Sequence, residues 1–240
     1  MAKKGINEVF RAVECGECIY GVVPVENSTE GMISYTLDLL ALSELKICGE
    51  VILKIEQNLL SREEKLEDIK IIYSHDQSFA QCRQWLMEYL PKAELVSCLS
   101  NAQAVKKALD EPNTAAIAGK IASDTYNLAI LKRNIQDKSN NTTRFLILGK
   151  EDLNPCGVDK TSLLLSTTNT PGSLYHLLEP IGRHGVNMSK IESRPSQQAL
   201  WEYIFFVDLE GHSQNIAALL AEMKERAGLF RILGSYPKSL

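Results

Sequence analysis

Polar side chains that can bind or protonate a small acid are concentrated in four segments, each next to a predicted strand. These segments are Glu26-Asn27-Ser28, Ser74-His75-Asp76-Gln77, Ser100-Asn101 and Asn140 to Arg144. Hydroxyl, amide and guanidinium groups hold carboxylates, and helix N-termini add free N–H groups and a favourable dipole. The same residue types cap helices, so one such segment alone predicts only a cap. Four segments, one with an arginine, indicate a site for a small acid.

Other catalytic chemistries lack their sequence signatures. The chain contains no Gly-x-Gly-x-x-Gly or Gly-Lys-Ser/Thr loop for nucleotides, no His-Glu-x-x-His and no Gly-x-Ser-x-Gly. Cys15-Gly-Glu-Cys18 is a single C-x-x-C, which is weak evidence for zinc or redox chemistry without a second pair of ligands. The histidines are scattered, and His75 is predicted to cap a helix or donate a hydrogen bond. We therefore expect no metal site.

Glycosylation would offer another explanation for the polar segments. Sequons of the form Asn-x-Ser/Thr begin at Asn27, Asn140, Asn141 and Asn187. They carry sugar only in exported proteins, and the N-terminal residues 1–5 lack the apolar core of a signal peptide. We therefore reject this explanation.

The composition is that of an ordinary globular protein. Of 240 residues, 45 % are hydrophobic and 23 % are charged, and the net charge is −4. This balance gives no basic face for nucleic acid, and no apolar stretch reaches the roughly 18 residues that cross a bilayer. We expect a cytoplasmic protein with free thiols and no nucleic-acid or membrane partner.

The hydrophobic pattern predicts alternating strands and helices up to residue 150. The predicted strands are 20–25, 46–55, 69–73, 94–98, 114–118 and 146–148, and the predicted helices are 6–17, a helix from Ser28 or Thr29 to residue 42, 74–89, 100–109 and 120–128. This alternation is typical of parallel sheets with crossover helices.

A different order follows a linker that is predicted from Asn154-Pro155 and Gly157. The predicted elements are strand 161–165, helix 172–185, strand 186–192, strand 201–209, helix 213–227 and strand 229–233. The two helices have the same apolar spacing. This order predicts a βαββαβ ferredoxin-like unit with one helical layer on an antiparallel sheet.

Several segments together resemble the prephenate dehydratase family. They are Gly21 to Ser28, Tyr73 to Gln77 with Gln81-Cys82, and Asn141 to Phe145. The C-terminal unit is similar to the ACT regulatory domain of that family, through Pro171 to Leu174 and Lys190 to Pro195. The matching segments occur in the family's order over nearly all of the chain.

The resemblance implies an α/β fold with two parts. Residues 1–150 would form a periplasmic-binding-protein-like, two-lobed catalytic domain, with lobes of 1–58 plus 130–150 and of 59–129. A linker at 151–159 and an ACT domain at 160–240 would follow. Family members begin with a strand and a Gly-Pro-x-Gly-Ser/Thr-Phe/Tyr loop, so the first lobe is predicted to lack its first strand. The chain is then expected to be a fragment of a longer polypeptide, such as one with an N-terminal chorismate mutase, or a truncated and impaired protein.

The resemblance also implies decarboxylative dehydration of prephenate to phenylpyruvate in L-phenylalanine biosynthesis, without metal or organic cofactor. It places the catalytic hydroxyl on Thr143. The implied substrate-binding residues are Glu26, Asn27, Ser28, Ser74, Gln81, Arg144 and Phe145.

Feedback regulation by phenylalanine is implied by the ACT resemblance. The effector would bind at a subunit interface of a homodimer or homotetramer. The implied effector-binding residues are Gly172, Ser173, Leu174, Asn187, Glu192, Ser193 and Arg194.

Two alternatives to the enzyme remain at this point. One is a catalytically impaired, phenylalanine-binding regulatory protein, because the N-terminal Gly-rich segment is missing. The other is a solute-binding protein of similar fold, which would have no reason to carry an ACT domain. A smaller departure is Asp76, which replaces the family's usual proline. It either adds negative charge near the anion site or caps the next helix.

Overall fold

The computed structural model describes residues 1–29, 31–168, 170–196 and 203–239. They form an α/β structure with two compact units, Met1–Leu53 with Thr143–Leu240, and Lys54–Thr142. The strands are β1 (Gly21–Asn27), β2 (Gly31–Met32), β3 (Lys46–Lys54), β4 (Asn58–Ser61), β5 (Ile71–Ser74), β6 (Glu94–Ser97), β7 (Thr114–Ala118), β8 (Ile130–Lys132), β9 (Thr142–Gly149), β10 (Asp159–Ser166), β11 (Met188–Pro195), β12 (Tyr203–Glu210) and β13 (Leu229–Pro237). The helices are α1 (Ile6–Glu14), α2 (Ser34–Leu42), α3 (Asp76–Gln81), α4 (Arg83–Tyr89), α5 (Asn101–Asp110), α6 (Lys120–Tyr126), α7 (Ser173–Arg183) and α8 (Ala217–Arg226).

The first sheet of the first unit has the strand order β2-β1-β9-β3. β1 and β9 are antiparallel, with Asn27 opposite Thr143 and Glu26 opposite Arg144. A register shift after Pro24 marks a β-bulge in β1. Apolar side chains of α1 and α2 recur at helical spacing, three or four residues apart, and they pack into the core of the sheet.

The predicted βαββαβ unit is confirmed. Strands β10 to β13, here called the C-terminal sheet, are antiparallel in the order β11-β12-β10-β13, and α7 and α8 pack against them. Side chains alternate along β10, so Leu163 and Leu165 share a core with the helices. Leu164 and Phe206 instead belong to the core of the first sheet. The C-terminal sheet therefore has apolar partners on both faces.

Gly234 of β13 permits a close backbone approach to β3. A Cβ atom added at Gly234 would lie 2.1 Å from the carbonyl oxygen of Ile47 and 2.8 Å from its nitrogen. We expect Gly234→Ala to lower the free energy of unfolding by about 1–3 kcal/mol, because neither backbone can yield without losing strand pairing.

Urea denaturation tests this expectation against Gly182→Ala as a control. An added Cβ at Gly182 of α7 meets no heavy atom within 4 Å apart from its chain neighbours and the backbone of its own helix. The control should gain up to about 1 kcal/mol from helix propensity. A Gly234 variant as stable as the wild type would contradict the close packing of β13 on β3.

The sheet of the second unit has the order β6-β5-β7-β4-β8. β5 is parallel to β6 and β7, as predicted, whereas β4 is antiparallel to both β7 and β8. The short strands β4 and β8 were not predicted from the sequence. Both strands pair within the sheet of the second unit, Lys54–Thr142.

Two predicted helices differ from the observed ones. The helix expected at 74–89 is divided into α3 and α4 at Cys82, where φ is −116° and ψ is 15°. The helix expected to begin at Ser28 or Thr29 begins at Ser34, because Gly31–Met32 pairs with β1 as β2. The predicted strand start at residue 201 lies outside the described residues.

Candidate active site

β9 presents two chemically different faces. Leu146 and Leu148 are buried in the core of the first sheet, and the alternation of side chains along a strand places Arg144 on their face. Thr143 lies on the opposite face. Neighbouring residues of one motif therefore point to different environments.

The β-bulge in β1 determines which residues of β1 lie opposite Thr143 and Arg144. It places Glu26 opposite Arg144 and Asn27 opposite Thr143. The structure thus brings together two pairs of predicted site residues, Thr143 with Asn27 on one face and Arg144 with Glu26 on the other.

The Thr143 hydroxyl has a fixed hydrogen-bond donor. Its Oγ1 atom accepts a bond of 2.9 Å from Asn27 Nδ2, and Thr143 is only 8 % exposed. Asn27 Oδ1 accepts from the backbone N–H of Thr29 at 2.9 Å and from its hydroxyl at 2.6 Å. Because a backbone N–H can only donate, the Asn27 atom that faces the Thr29 N–H must be the amide oxygen, Oδ1. The atom that faces Thr143 is then the amide nitrogen, Nδ2. The Thr143 oxygen therefore accepts from Asn27, and its own proton can be donated elsewhere.

Thr29 is a site residue that the sequence analysis missed. Its two hydrogen bonds to Asn27 Oδ1 form an Asx turn that orients the amide. The spacing Asn-x-Thr is shared by the glycosylation sequon and this turn, so the spacing alone does not identify the turn. Of the other predicted residues near this turn, Ser28 is exposed and Phe145 is half-buried.

Arg144 belongs to a group of six charged side chains, here called the buried ion network. Its members are Glu26, Glu50, Arg144, Lys160, Lys190 and Asp208. Arg144 Nε donates to Glu50 Oε2 at 2.6 Å, and its Nη1 atom lies 2.8 Å from Asp208 Oδ2. Its Nη2 atom donates to the Tyr236 hydroxyl at 3.1 Å. All three guanidinium nitrogens therefore have partners.

The network keeps the Arg144 guanidinium charged. Burial alone would lower the pKa of Arg144, but the carboxylates of Asp208 and Glu50 outweigh burial and raise that pKa above its ordinary value. Lys160 donates to both Glu50 oxygens, at 2.8 and 3.0 Å, so this carboxylate is shared between two cations. A substrate carboxylate would have to compete with these partners for Arg144.

Ser74, at the end of β5 in the second unit, is fully buried. Its hydroxyl lies 3.0 Å from the Ile117 carbonyl oxygen and 3.2 Å from Asn101 Oδ1, so its single proton is shared between two acceptors. Asn101 Oδ1 also accepts from the backbone N–H of His75 at 3.1 Å. Asn101 therefore organises the loop after β5, a role that its sequence position did not reveal.

The neighbouring residues of this loop have local partners as well. His75 caps α3, as predicted, and its Nδ1 atom accepts from the backbone two residues later at 3.2 Å. Asp76 is therefore not the cap, and its carboxylate accepts a hydrogen bond from the Ser97 hydroxyl. Gln81 Oε1 accepts from Gln57 Nε2 at 3.0 Å.

The predicted effector residues occupy three segments of the first unit. They are Gly172 to Leu174 at the start of α7, Asn187 just before β11, and Glu192 to Arg194 within β11. Gly172 has a φ of 79°, which favours glycine at this turn. Arg194 binds Asp38 of α2 through Nε at 3.0 Å and through Nη2 at 2.9 Å.

Three further features concern the described part of the chain: its cysteines, possible metal-binding groups and possible membrane-spanning helices. All six cysteines are free thiols, as predicted, including Cys15 and Cys18. Among the described residues, no three His, Cys, Asp or Glu side chains are grouped so that they could hold a metal ion. In that same part of the chain, no helix has both the length and the apolar character needed to cross a membrane.

Comparisons with known proteins find relatives along the whole chain. A family model described as prephenate dehydratase matches residues 1–153, and one described as ACT domain matches residues 161–228. The bifunctional chorismate mutase/prephenate dehydratase of Aquifex aeolicus is 46 % identical over 98 % of this chain and 66 % of its own length. The prephenate dehydratase of Lactococcus lactis subsp. cremoris is 37 % identical over 96 % of this chain and 86 % of its own length.

A solved structure agrees with these relatives. The prephenate dehydratase from Arthrobacter aurescens, in complex with L-Phe, has a TM-score of 0.87 and 34 % identity, covering 99 % of this chain and 80 % of its own. The chain spans 65–66 % of the length of the bifunctional relatives from Aquifex and Pseudomonas aeruginosa.

Proposed function

Because the chain belongs to the prephenate dehydratase family and carries an ACT domain, we propose that it converts prephenate to phenylpyruvate, CO₂ and water. Its fold is the predicted one, a periplasmic-binding-protein-like α/β domain followed by a ferredoxin-like ACT domain. We assign the dehydratase domain to residues 1–150, the linker to 151–159 and the ACT domain to 160–240.

The observation that carries this proposal is the Asn27–Thr143 pair. The amide occupies the acceptor side of the Thr143 hydroxyl, so the hydroxyl proton can be directed at a leaving oxygen. When the ring carboxylate leaves as CO₂, the electrons of its C–C bond enter the ring, and the ring C–O bond breaks. Thr143 donates its proton to the departing oxygen, which leaves as water, and solvent then restores the proton on Thr143.

The weak acidity of threonine is compatible with this step. An alcohol is far from a matched general acid at neutral pH, but loss of CO₂ and hydroxide makes an aromatic ring and is strongly downhill. A strong hydrogen bond from Thr143 to the departing oxygen then suffices. The second carboxylate of prephenate needs local donors, since the chain carries a net charge of −4. We assign this contact to Asn27 and Ser28, with Phe145 packing against the ring.

The direct experiment incubates the full chain with prephenate and measures phenylpyruvate formation and CO₂ release together. Equal amounts of both products are expected, because one step makes both. Phenylalanine binding is measured on the same sample by calorimetry. Binding without turnover would instead support the alternative of a catalytically impaired regulatory protein.

Phenylalanine is proposed as the feedback effector, bound at the Gly172–Leu174 turn and at β11. A ligand that binds only the folded state stabilises it by about 2.7 kcal/mol at a concentration of one hundred times Kd. For a domain of this size, each kcal/mol raises Tm by about 2–4 °C. We therefore expect millimolar L-phenylalanine to raise Tm by several degrees, with D-phenylalanine as the control. Equal Tm values with the two enantiomers would contradict a stereospecific effector site.

The effector site is proposed to lie at a subunit interface of a homodimer or homotetramer. Light scattering after size exclusion, with and without L-phenylalanine, measures the oligomer size. A monomer at micromolar concentration in both conditions would contradict this part of the proposal.

A further inference from the structure

A side chain of β11 connects the C-terminal sheet to the turn that orients Asn27. Lys190 of β11 lies 2.6 Å from Glu26 Oε2, and its ammonium group also contacts Met32 Sδ. Glu26 and Met32 are opposite each other in the β1–β2 pair. They close the base of the turn that contains Asn27 and Thr29. Lys190 therefore contacts both sides of this turn from a different sheet.

The contact is made by a largely shielded cation. The Lys190 side chain is 15 % exposed, and the Glu26 side chain is 39 % exposed. Glu26 also lies 3.9 Å from the Arg144 guanidinium, which joins the Lys190–Glu26 pair to the other members of the buried ion network. Such an arrangement restricts the position of Glu26 more than one solvent-exposed pair would.

A second ion pair fixes β11 at the other end of the same segment. Arg194 binds Asp38 of α2, and its side chain is 18 % exposed. Lys190 and Arg194 are four residues apart on one strand and share a face. Glu192 lies between them on that face. The segment proposed to bind phenylalanine is thus attached to the first sheet on both sides.

We propose that Lys190 is a positioning residue for the Asn27–Thr143 pair and that β11 transmits phenylalanine occupancy to that pair. The second half of this statement rests on the proposed function. A shift of β11 on effector binding moves Lys190, and Lys190 moves Glu26 and the turn next to it. The amide of Asn27 then loses its alignment with the Thr143 hydroxyl.

Lys190→Met tests the proposal in the full chain, because methionine keeps an apolar stem and removes the charge. Lys224→Met is the matched control, since Lys224 is an exposed lysine on α8. Hydrogen exchange of the 21–32 and 142–149 segments is measured by mass spectrometry without ligand. We expect exchange about threefold or more faster in Lys190→Met than in the control, because the turn opens locally.

Inhibition provides the second measurement. In Lys190→Met, the phenylalanine concentration for half-inhibition should rise about tenfold or more, which is a typical coupling between two sites. Phenylalanine affinity by calorimetry and KM for prephenate should stay within about threefold of the wild type, because neither ligand touches Lys190 in this proposal. A merely structural role would lower stability without separating inhibition from binding.

The other possible outcomes also support or contradict the proposed role of Lys190. Exchange and inhibition equal to those of Lys224→Met would overturn the proposal. If Lys190→Met does not fold, Lys190→Gln removes the same charge with a polar side chain and is judged by the same two measurements. If the wild type makes no phenylpyruvate, the proposed function fails, whereas the exchange measurement still confirms or rejects the positioning role.

Discussion

Thr143→Ala should lower kcat for phenylpyruvate formation by about 10²- to 10⁴-fold, the usual contribution of a positioned proton donor. The hydroxyl of Thr143 is the group that Asn27 orients, at 2.9 Å, and alanine offers no proton in its place. KM for prephenate should change much less, because the donated hydrogen bond strengthens mainly in the transition state. Steady-state kinetics with prephenate measures both quantities.

Thr143→Ser is the control for this prediction. Serine keeps the hydroxyl and loses only a methyl group, so kcat is expected within about tenfold of the wild type. Near-full activity in Thr143→Ala would assign the proton donation to another group. Equal losses in both variants would point to packing by the methyl group instead.

Arg144→Met should lower the free energy of unfolding by about 3–5 kcal/mol, because it removes the cation paired with the buried Asp208 carboxylate and one of the two cations at Glu50. Glu50 and Asp208 each lose a contact shorter than 3 Å, and their side chains are 1 % and 9 % exposed. The loss should be visible as a lower midpoint of urea denaturation.

Arg183→Met provides a matched comparison. Arg183 also binds two carboxylates, those of Glu179 and Glu222, but its side chain is 49 % exposed. Solvent-exposed pairs contribute little, so this variant should lose no more than about 1 kcal/mol. If Arg144→Met instead kept wild-type stability and raised KM for prephenate, Arg144 would be a substrate ligand as first predicted.

The C-terminal sheet was predictable because each of its signals is local. The apolar spacing of Leu174, Leu177 and Ile181 defines a helix face within one segment, and α7 packs this face into the core. Strand order then follows from the ferredoxin-like topology. By contrast, β4 and β8 have four and three residues, too few to show a period.

The faces of the candidate site were not predictable, for a non-local reason. The sequence places Thr143 and Arg144 side by side, but the partners of Arg144 are Asp208 and Tyr236, which lie 64 and 92 residues away. Glu26 faces Arg144 only because a bulge shifts the register of β1. Strand pairing, rather than any local pattern, determines where such a bulge falls.

The Asn27–Thr29 turn was only partly predictable from the sequence. The Asn-x-Thr spacing is visible in the sequence, but the glycosylation sequon and the Asx turn share this spacing. Only the contact of Asn27 with Thr143, more than a hundred residues away, identifies which of them applies.

The approach of Gly234 to Ile47 has a consequence for protein engineering. An ACT domain transplanted from another chain would meet the β3 backbone with whatever side chain it carries at this position. The graft would also have to supply an acid in place of Asp208 and a base in place of Lys190. Functional chimeras should therefore exchange the contacting residues of both sheets together. A chimera joined only at the linker would pair two sheet surfaces whose contacting residues do not match.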